Sequence, residues 1–259
     1  IPSRTQTTKG YVAAINSNFS MEMLAHHVSR LRGLPLDQAR ERVQPVRLEV
    51  RYLYNQSVKS IWSLAPKLIM LVMIFVPPLL TAVGIVREKE TGSIYNIYAS
   101  TVSRGEFLLG KLAPYVAISV VNVLVLWFLA TQVFGAPFKG HPLFFFLASV
   151  LFVTCTTGIG LLVSLLVRTQ LAATLITVIL TMVPAMEYSG FLMPVESLSG
   201  EGGIEARLLP AMYYTNIVVG SFLKGVGLEV LWVDLLVLAG YTLALYVAGY
   251  LLFHKRPKT

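Results

Sequence analysis

Charge and cysteine are both scarce in this chain. Of its 259 residues 13% are Asp, Glu, Lys or Arg, against about 25% in a soluble domain, and 55% are hydrophobic. That balance argues against a water-soluble globular fold. Cys155 is the only cysteine and lies inside an apolar run, which excludes a disulfide framework and a thiolate metal site; a small packed residue is expected there. His26 and His27 are adjacent, so on a helix they point to different faces, and no metal site is expected. No nucleophile, base and orienter occur together, and no carboxylate pair is spaced for catalysis, so no catalytic residue is assigned. The net charge of +8 would suggest nucleic acid in a soluble protein, but here the basic residues flank apolar runs or fall in the first 67 residues. Direct nucleic-acid binding is not expected. The sequence starts at Ile1 without a signal-peptide pattern, and it reads as a piece of a longer polypeptide.

What the chain has in abundance is long uncharged runs. They extend over Leu68–Val86, Leu112–Phe138, Gly140–Val167, Thr169–Met186 and Leu235–Phe253. A hydrocarbon core of roughly 30 Å takes about 20 apolar helical residues, and a helix satisfies its own backbone there. The expected fold is an all-α polytopic membrane protein with five spans at about 68–86, 112–134, 143–167, 169–187 and 233–253. Leu208–Leu223 is uncharged but shorter and contains Pro210, Asn216 and Gly220, which suits an outer re-entrant or interfacial helix pair. Pro77 and Pro78 predict a kink in the first span.

Residues 1–66 differ in kind from residues 67–259. From Tyr11 to Arg32 apolar residues recur at three- and four-residue steps, the period of an amphipathic helix, and a short helical turn is expected from Asp37 to Val43. Val46, Leu48, Val50, Tyr52 and Tyr54 alternate with charged residues, as in a half-buried strand. These pieces are too few for a core of their own and read as the remnant of an α/β extracytoplasmic subdomain. If they lie outside, Arg87, Lys89, Arg104, Lys111, Arg168, Lys255, Arg256 and Lys258 all fall in the cytoplasm, leaving Lys139, Arg207 and Lys224 in the outer loops. Short loops then obey the positive-inside bias. A count that included residues 1–67 would favour the reverse, but long domains translocate largely regardless of charge.

Two motifs bracket the turn between the first and second spans: Val86-Arg87-Glu88-Lys89-Glu90-Thr91-Gly92-Ser93 and Glu106-Phe107-Leu108-Leu109-Gly110-Lys111-Leu112. With Asn55–Ser60, Ser189-Gly190-Phe191-Leu192-Met193-Pro194-Val195 and Gly220-Ser221-Phe222-Leu223-Lys224-Gly225, this ordered series resembles the permeases of ABC-2-type transporters over about residues 46–256. Gly92–Tyr98 and Pro194–Leu198 are most similar to the C-terminal permease region of fused ribosome-associated ATPase and transporter polypeptides.

The resemblance implies the transmembrane permease of an ATP-driven exporter in the bacterial cytoplasmic (inner) membrane. ATP and magnesium would be handled by an ATP-binding cassette domain outside this chain, fused or separate, so the chain itself would not be an enzyme. Further implied partners are a second permease copy or paralogue, a periplasmic adaptor, and a ribosome reached through the fused ATPase. The resemblance places ATPase coupling on Arg87, Glu88, Lys89, Glu90, Gly92, Ile94 and Ile97. Gly105–Lys111 has P-loop spacing, but Leu112 stands where a magnesium-holding Ser or Thr is needed, and no strand precedes it. A membrane anchor for a ribosome-associated ATPase, without transport, is the alternative.

At the outer end Glu187, Tyr188, Phe191, Tyr213 and Tyr214 are candidates for a gate or substrate path. A boundary carboxylate such as Glu187 is costly and by default a functional candidate, yet it equally suits an interfacial helix end. Asp234, at the start of the last span, is read as structural. Thr154, Thr156, Thr157, Gly158, Gly160 and Ser164 would supply polar or small positions to a cavity, or equally permit close helix packing.

Overall fold

The computed structural model describes residues 16, 19–43, 60–93, 103–192, 195 and 201–253. Two compact units are present, with the division after Tyr52. In the first, α1 covers residues 19–32 and α2 covers Leu36–Val43, with an Arg40–Glu22 ion pair of 2.8 Å between them. The expected strand over Val46–Tyr54 lies outside the described residues.

Among the described residues the second unit holds five helices long and apolar enough to cross a membrane. They are α3 (Ser60–Glu90), α4 (Arg104–Phe128), α5 (Pro142–Leu166), α6 (Gln170–Tyr188) and α9 (Leu228–Leu252). Between the last two lie α7 (Glu201–Arg207) and α8 (Pro210–Val219); the pair expected within Leu208–Leu223 thus begins earlier, with only α8 and the turn that follows it falling in that segment.

Burial ranks these helices. The most apolar stretches of α3 and α5 are 56% and 61% buried, whereas those of α4, α6 and α9 are 17%, 22% and 11% buried. Thus α3 and α5 form the centre, and the other three spans pack around it with broad apolar faces turned outward. Association of helices in lipid depends on close packing rather than on hydrophobic burial, and the sequence of α5 meets that requirement. A Cβ on Gly160 would lie 2.7 Å from Pro78 Cα of α3, so only glycine allows this approach. Gly158 similarly leaves room for Leu245 and Tyr246 of α9.

Helix α3 is continuous through Pro77 and Pro78. Neither proline has an N–H, so the ladder loses two bonds to the carbonyls one turn earlier. The Pro77 carbonyl itself accepts from Thr81 Oγ1 at 2.8 Å.

Candidate functional site

The spans alternate in direction, so the bundle has two ends. One carries the charged turn after α3, and the other carries the α7–α8 pair.

At the charged end, α3 continues past the apolar run to Glu90, and each acidic or basic side chain from 88 to 90 contacts a different helix. The Lys111 ammonium of α4 donates to Glu88, and both side chains are less than one-third exposed, at 29% and 25%. Lys89 donates to the Ser164 carbonyl in the last turn of α5. Glu90 accepts from the Gln170 backbone N–H at 2.8 Å and from the Gln170 side-chain amide at the start of α6. A helix leaves its first N–H groups and last carbonyls without partners, and its dipole favours anions at the N-terminus and cations at the C-terminus. Consecutive residues Lys89 and Glu90 therefore serve opposite poles of two successive helices where α5 ends and α6 begins. Arg87 is exposed, and Gly92 takes φ +74° as the chain leaves α3. Ile94 and Ile97 lie outside the described residues.

Two further contacts close this end. Ser103 and Glu106 form a reciprocal capping box at the start of α4, and Phe107 stacks on Phe253, which follows α9, with centroids 5.0 Å apart. Gly105–Lys111 is thus helix rather than a phosphate-cradling loop. The partners of Glu88, Lys89 and Glu90 were not visible in the sequence, because residues 23 to 80 positions apart share no local pattern. The Ser103-x-x-Glu106 spacing was the one readable signal.

The opposite end is built on aromatics and irregular helix. Tyr214 is fully buried, stacks on Phe152 at 4.0 Å and shares a 2.8 Å hydrogen bond with Ser149 of α5. Tyr213 instead donates to the Arg207 carbonyl at 2.8 Å. The Tyr188 hydroxyl lies within electrostatic reach of both Glu205 and Glu187; Glu187 is exposed and Phe191 half-buried. Of the five candidates, Glu187 and Tyr188 are sequence neighbours at the end of α6, and Tyr214 is placed in the packed interior. Asp234 accepts from Asn216 Nδ2 at 2.9 Å, tying α9 to α8.

Single π-helical turns extend α4 over Leu129–Val133 and α8 over Gly220–Lys224. The segments after and within them meet where the Lys139 and Gly140 N–H groups donate to the Ser221 carbonyl at 3.2 and 2.7 Å. Such turns are rare and frequent at functional sites, and composition gave no sign of them.

The polar and small residues of α5 face its neighbours in the same chain. Thr157 shares a 3.0 Å hydrogen bond with Tyr246, Thr156 and Ser164 are buried and bond to carbonyls one turn back, and Cys155 is buried. Among the described residues no cluster of three His, Cys, Asp or Glu could hold a metal ion.

Five apolar spans in one packed unit define a polytopic α-helical membrane protein. The profile of the ABC-2 family transporter proteins matches residues 2–251, and the chain belongs to that family. It is 28% identical over 224 residues to the probable multidrug ABC transporter permease YbhS of Escherichia coli, covering 86% of this chain and 56% of the relative. Similarity to the probable multidrug ABC transporter permease YbhR of the same organism is 26% over 251 residues, covering 97% and 64%. ABC transporter G family member 20 of Dictyostelium discoideum is 27% identical over 228 residues, covering 87% and 31%. The chain thus spans less than two-thirds of the length of these relatives. No solved structure matches it. Membrane-spanning permease architecture is established on these grounds, and permeases of this family are not themselves ATPases.

Proposed function

We propose that this chain forms the membrane pathway of an ATP-driven exporter in the bacterial inner membrane, with ATP and magnesium bound by an ATP-binding cassette domain outside it. The observation that carries the reading is the charged turn: Glu88, Lys89 and Glu90 tie the end of α3 to α4, α5 and α6. A displacement imposed on this turn moves four spans together, as a coupling element requires. The turn from Arg87 through Gly92, Ile94 and Ile97 takes that role, with the ATPase domain docked against its cytoplasmic side. Residues 1–66 and the region from Glu187 to Glu229 then face outward. A second copy or a paralogous permease completes the pathway, and substrate leaves past Glu187, Tyr188 and Phe191. A periplasmic adaptor fits at this outer end, and a ribosome would be reached only through a fused ATPase.

The names of the bacterial relatives point to multidrug compounds as the substrate class. Because Glu88 and Glu90 also hold the bundle together, the sharper test of coupling is Ile94→Ser with Ile97→Ser. In vesicles containing the full-length protein and its ATPase, this variant should express normally and lose most substrate-stimulated ATP hydrolysis. Full stimulation would refute the coupling role. Wild-type vesicles in which no candidate compound stimulates ATPase or crosses the membrane would favour the membrane-anchor alternative.

A further inference from the structure

The loop between α4 and α5, residues 134–141, docks on the turn that ends α8. The Lys139 and Gly140 N–H groups both donate to the Ser221 carbonyl, at 3.2 and 2.7 Å. A Cβ on Gly140 would lie 2.8 Å from Ser221 Cα and 2.9 Å from its carbonyl oxygen, so only glycine lets the two backbones meet. Phe138 adds an edge contact to Phe222, with ring centroids 5.0 Å apart.

The loop has taken this carbonyl from the helix it belongs to. In an α-helical turn Ser221 would accept from the N–H four residues on, which is that of Gly225. Here the Gly225 N–H reaches one carbonyl further back, to Gly220, and the Val226 N–H shares that acceptor at 3.2 Å. The turn over Gly220–Lys224 is thereby widened to the π form, and Gly225 closes it at φ +69°, a left-handed conformation that glycine adopts without steric cost. The widened turn also leaves the Ser221 hydroxyl fully buried with no hydrogen-bond partner. Thr215, earlier on the same helix, bonds to the carbonyl of Ala211 at 2.9 Å. Unpaired buried polar groups are few in native structures, and each one points to stored strain or to a function.

Two sets of donors therefore compete for one acceptor. We infer that residues 134–141 and the Gly220–Lys224 turn form a single two-state latch. With the loop docked, the turn is π. When the loop lifts, the Gly225 N–H moves to the Ser221 carbonyl, the turn closes to the α form, and the Ser221 hydroxyl bonds to the carbonyl of Ile217. The Ser221 carbonyl is satisfied in both forms, as a buried backbone group requires. The chain enters α9 at Leu228, just beyond the turn, so the latch joins the α4–α5 hairpin to the start of the last span. It goes beyond the exporter reading and does not depend on it, because its test measures neither transport nor ATP hydrolysis.

Two substitutions push the latch in opposite directions. The full-length protein with Cys155→Ala is placed in nanodiscs, with spin labels on Leu208→Cys and Lys224→Cys, both exposed positions. Amide hydrogen exchange is followed in residues 134–141, and the label separation by double electron–electron resonance. Gly140→Ala crowds only the docked form and should raise loop exchange about tenfold. It should also move the label separation by several ångströms, because a one-residue change of register turns position 224 by about 100°. Ser221→Ala removes a hydroxyl that is bonded only in the released form, and should slow loop exchange about fivefold. A loop freed by Gly140→Ala with the label separation of the parent protein would show that loop and turn move independently, and would overturn the latch. Unchanged loop exchange in Ser221→Ala would overturn it too, and that variant decides alone if Gly140→Ala does not fold.

Discussion

The two ends of the bundle meet the same requirement by opposite means. Helix ends near a membrane boundary must satisfy orphan backbone groups and hold neighbouring spans in register. At the charged end, three consecutive side chains accomplish this with ionic and charge-assisted bonds to three helices. At the other, Tyr214 stacks on Phe152 and Phe138, Phe145 and Phe222 interlock, with centroid separations of 4.0–5.7 Å, and the Ser221 carbonyl of the second π turn accepts from Lys139 and Gly140. Charged ties that are only partly buried can exchange with water or with another protein's side chains. Interlocked rings do not. The first end is suited to receiving a partner and the second to resisting deformation.

That contrast is broken most severely at the aromatic end. Tyr214→Ala removes a fully buried ring, and by analogy with other large-to-small core changes should cost about 3–5 kcal/mol, read as loss of folded protein in detergent denaturation. Tyr214→Phe, which loses only the bond to Ser149, should cost about 1 kcal/mol. If the alanine variant were as stable as wild type, the aromatic end would not be the rigid one.

Next in size is the Glu88–Lys111 pair. Its partial burial sets it between exposed pairs, at about 0–1 kcal/mol, and buried pairs that lose one partner, at about 3–5 kcal/mol. Lys111→Met should therefore destabilise by about 2 kcal/mol, and a double-mutant cycle with Glu88→Gln should recover part of that. The coupling energy should fall as salt rises, while the cost of Tyr214→Ala stays constant. Equal salt sensitivity at the two ends would remove the distinction.

The smallest stability effect is expected at Ser103. Ser103→Ala breaks the capping box of α4 and should cost about 1 kcal/mol, and Ser103→Asp should restore most of it. A separate, functional test concerns Glu187→Gln, which keeps the shape of the side chain beside Tyr188 and removes its charge. Export should fall or change its pH dependence with normal yields of folded protein; unchanged transport at every pH would leave Glu187 as an ordinary helix end.

The apolar middles of the spans were legible because hydropathy acts residue by residue: every uncharged run falls largely within a helix of the structure. Their ends were not. The first span was expected from about 68 and the helix begins at Ser60; the second was expected from about 112 and the helix begins at Arg104. Charged residues that bond to another helix look to a hydropathy window like solvent-exposed loop. The role of α5's small residues was equally open in the sequence, since Gly160 suits a cavity as well as a contact until Pro78 is seen 2.7 Å from its Cβ position. Of the candidate gate residues, Tyr214 could not be separated from Tyr213, because adjacent tyrosines on a short helix differ only in which face meets α5.

Lys67 and Glu88 belong to one helix. At 1.5 Å per residue, α3 is a rod of about 46 Å whose one end is tied through Lys67 to the Gly190 carbonyl just after α6 and whose other end is sewn to three neighbours. Its soft joint, the Pro77–Pro78 step, is pressed against the backbone of α5 at Gly160 and has no free space in which to bend on that side. Under the proposed coupling role, travel of the charged turn would be carried along α3 toward Lys67 and its contact with the segment after α6. In that role α3 would act as a pushrod, with Gly160 as its bearing.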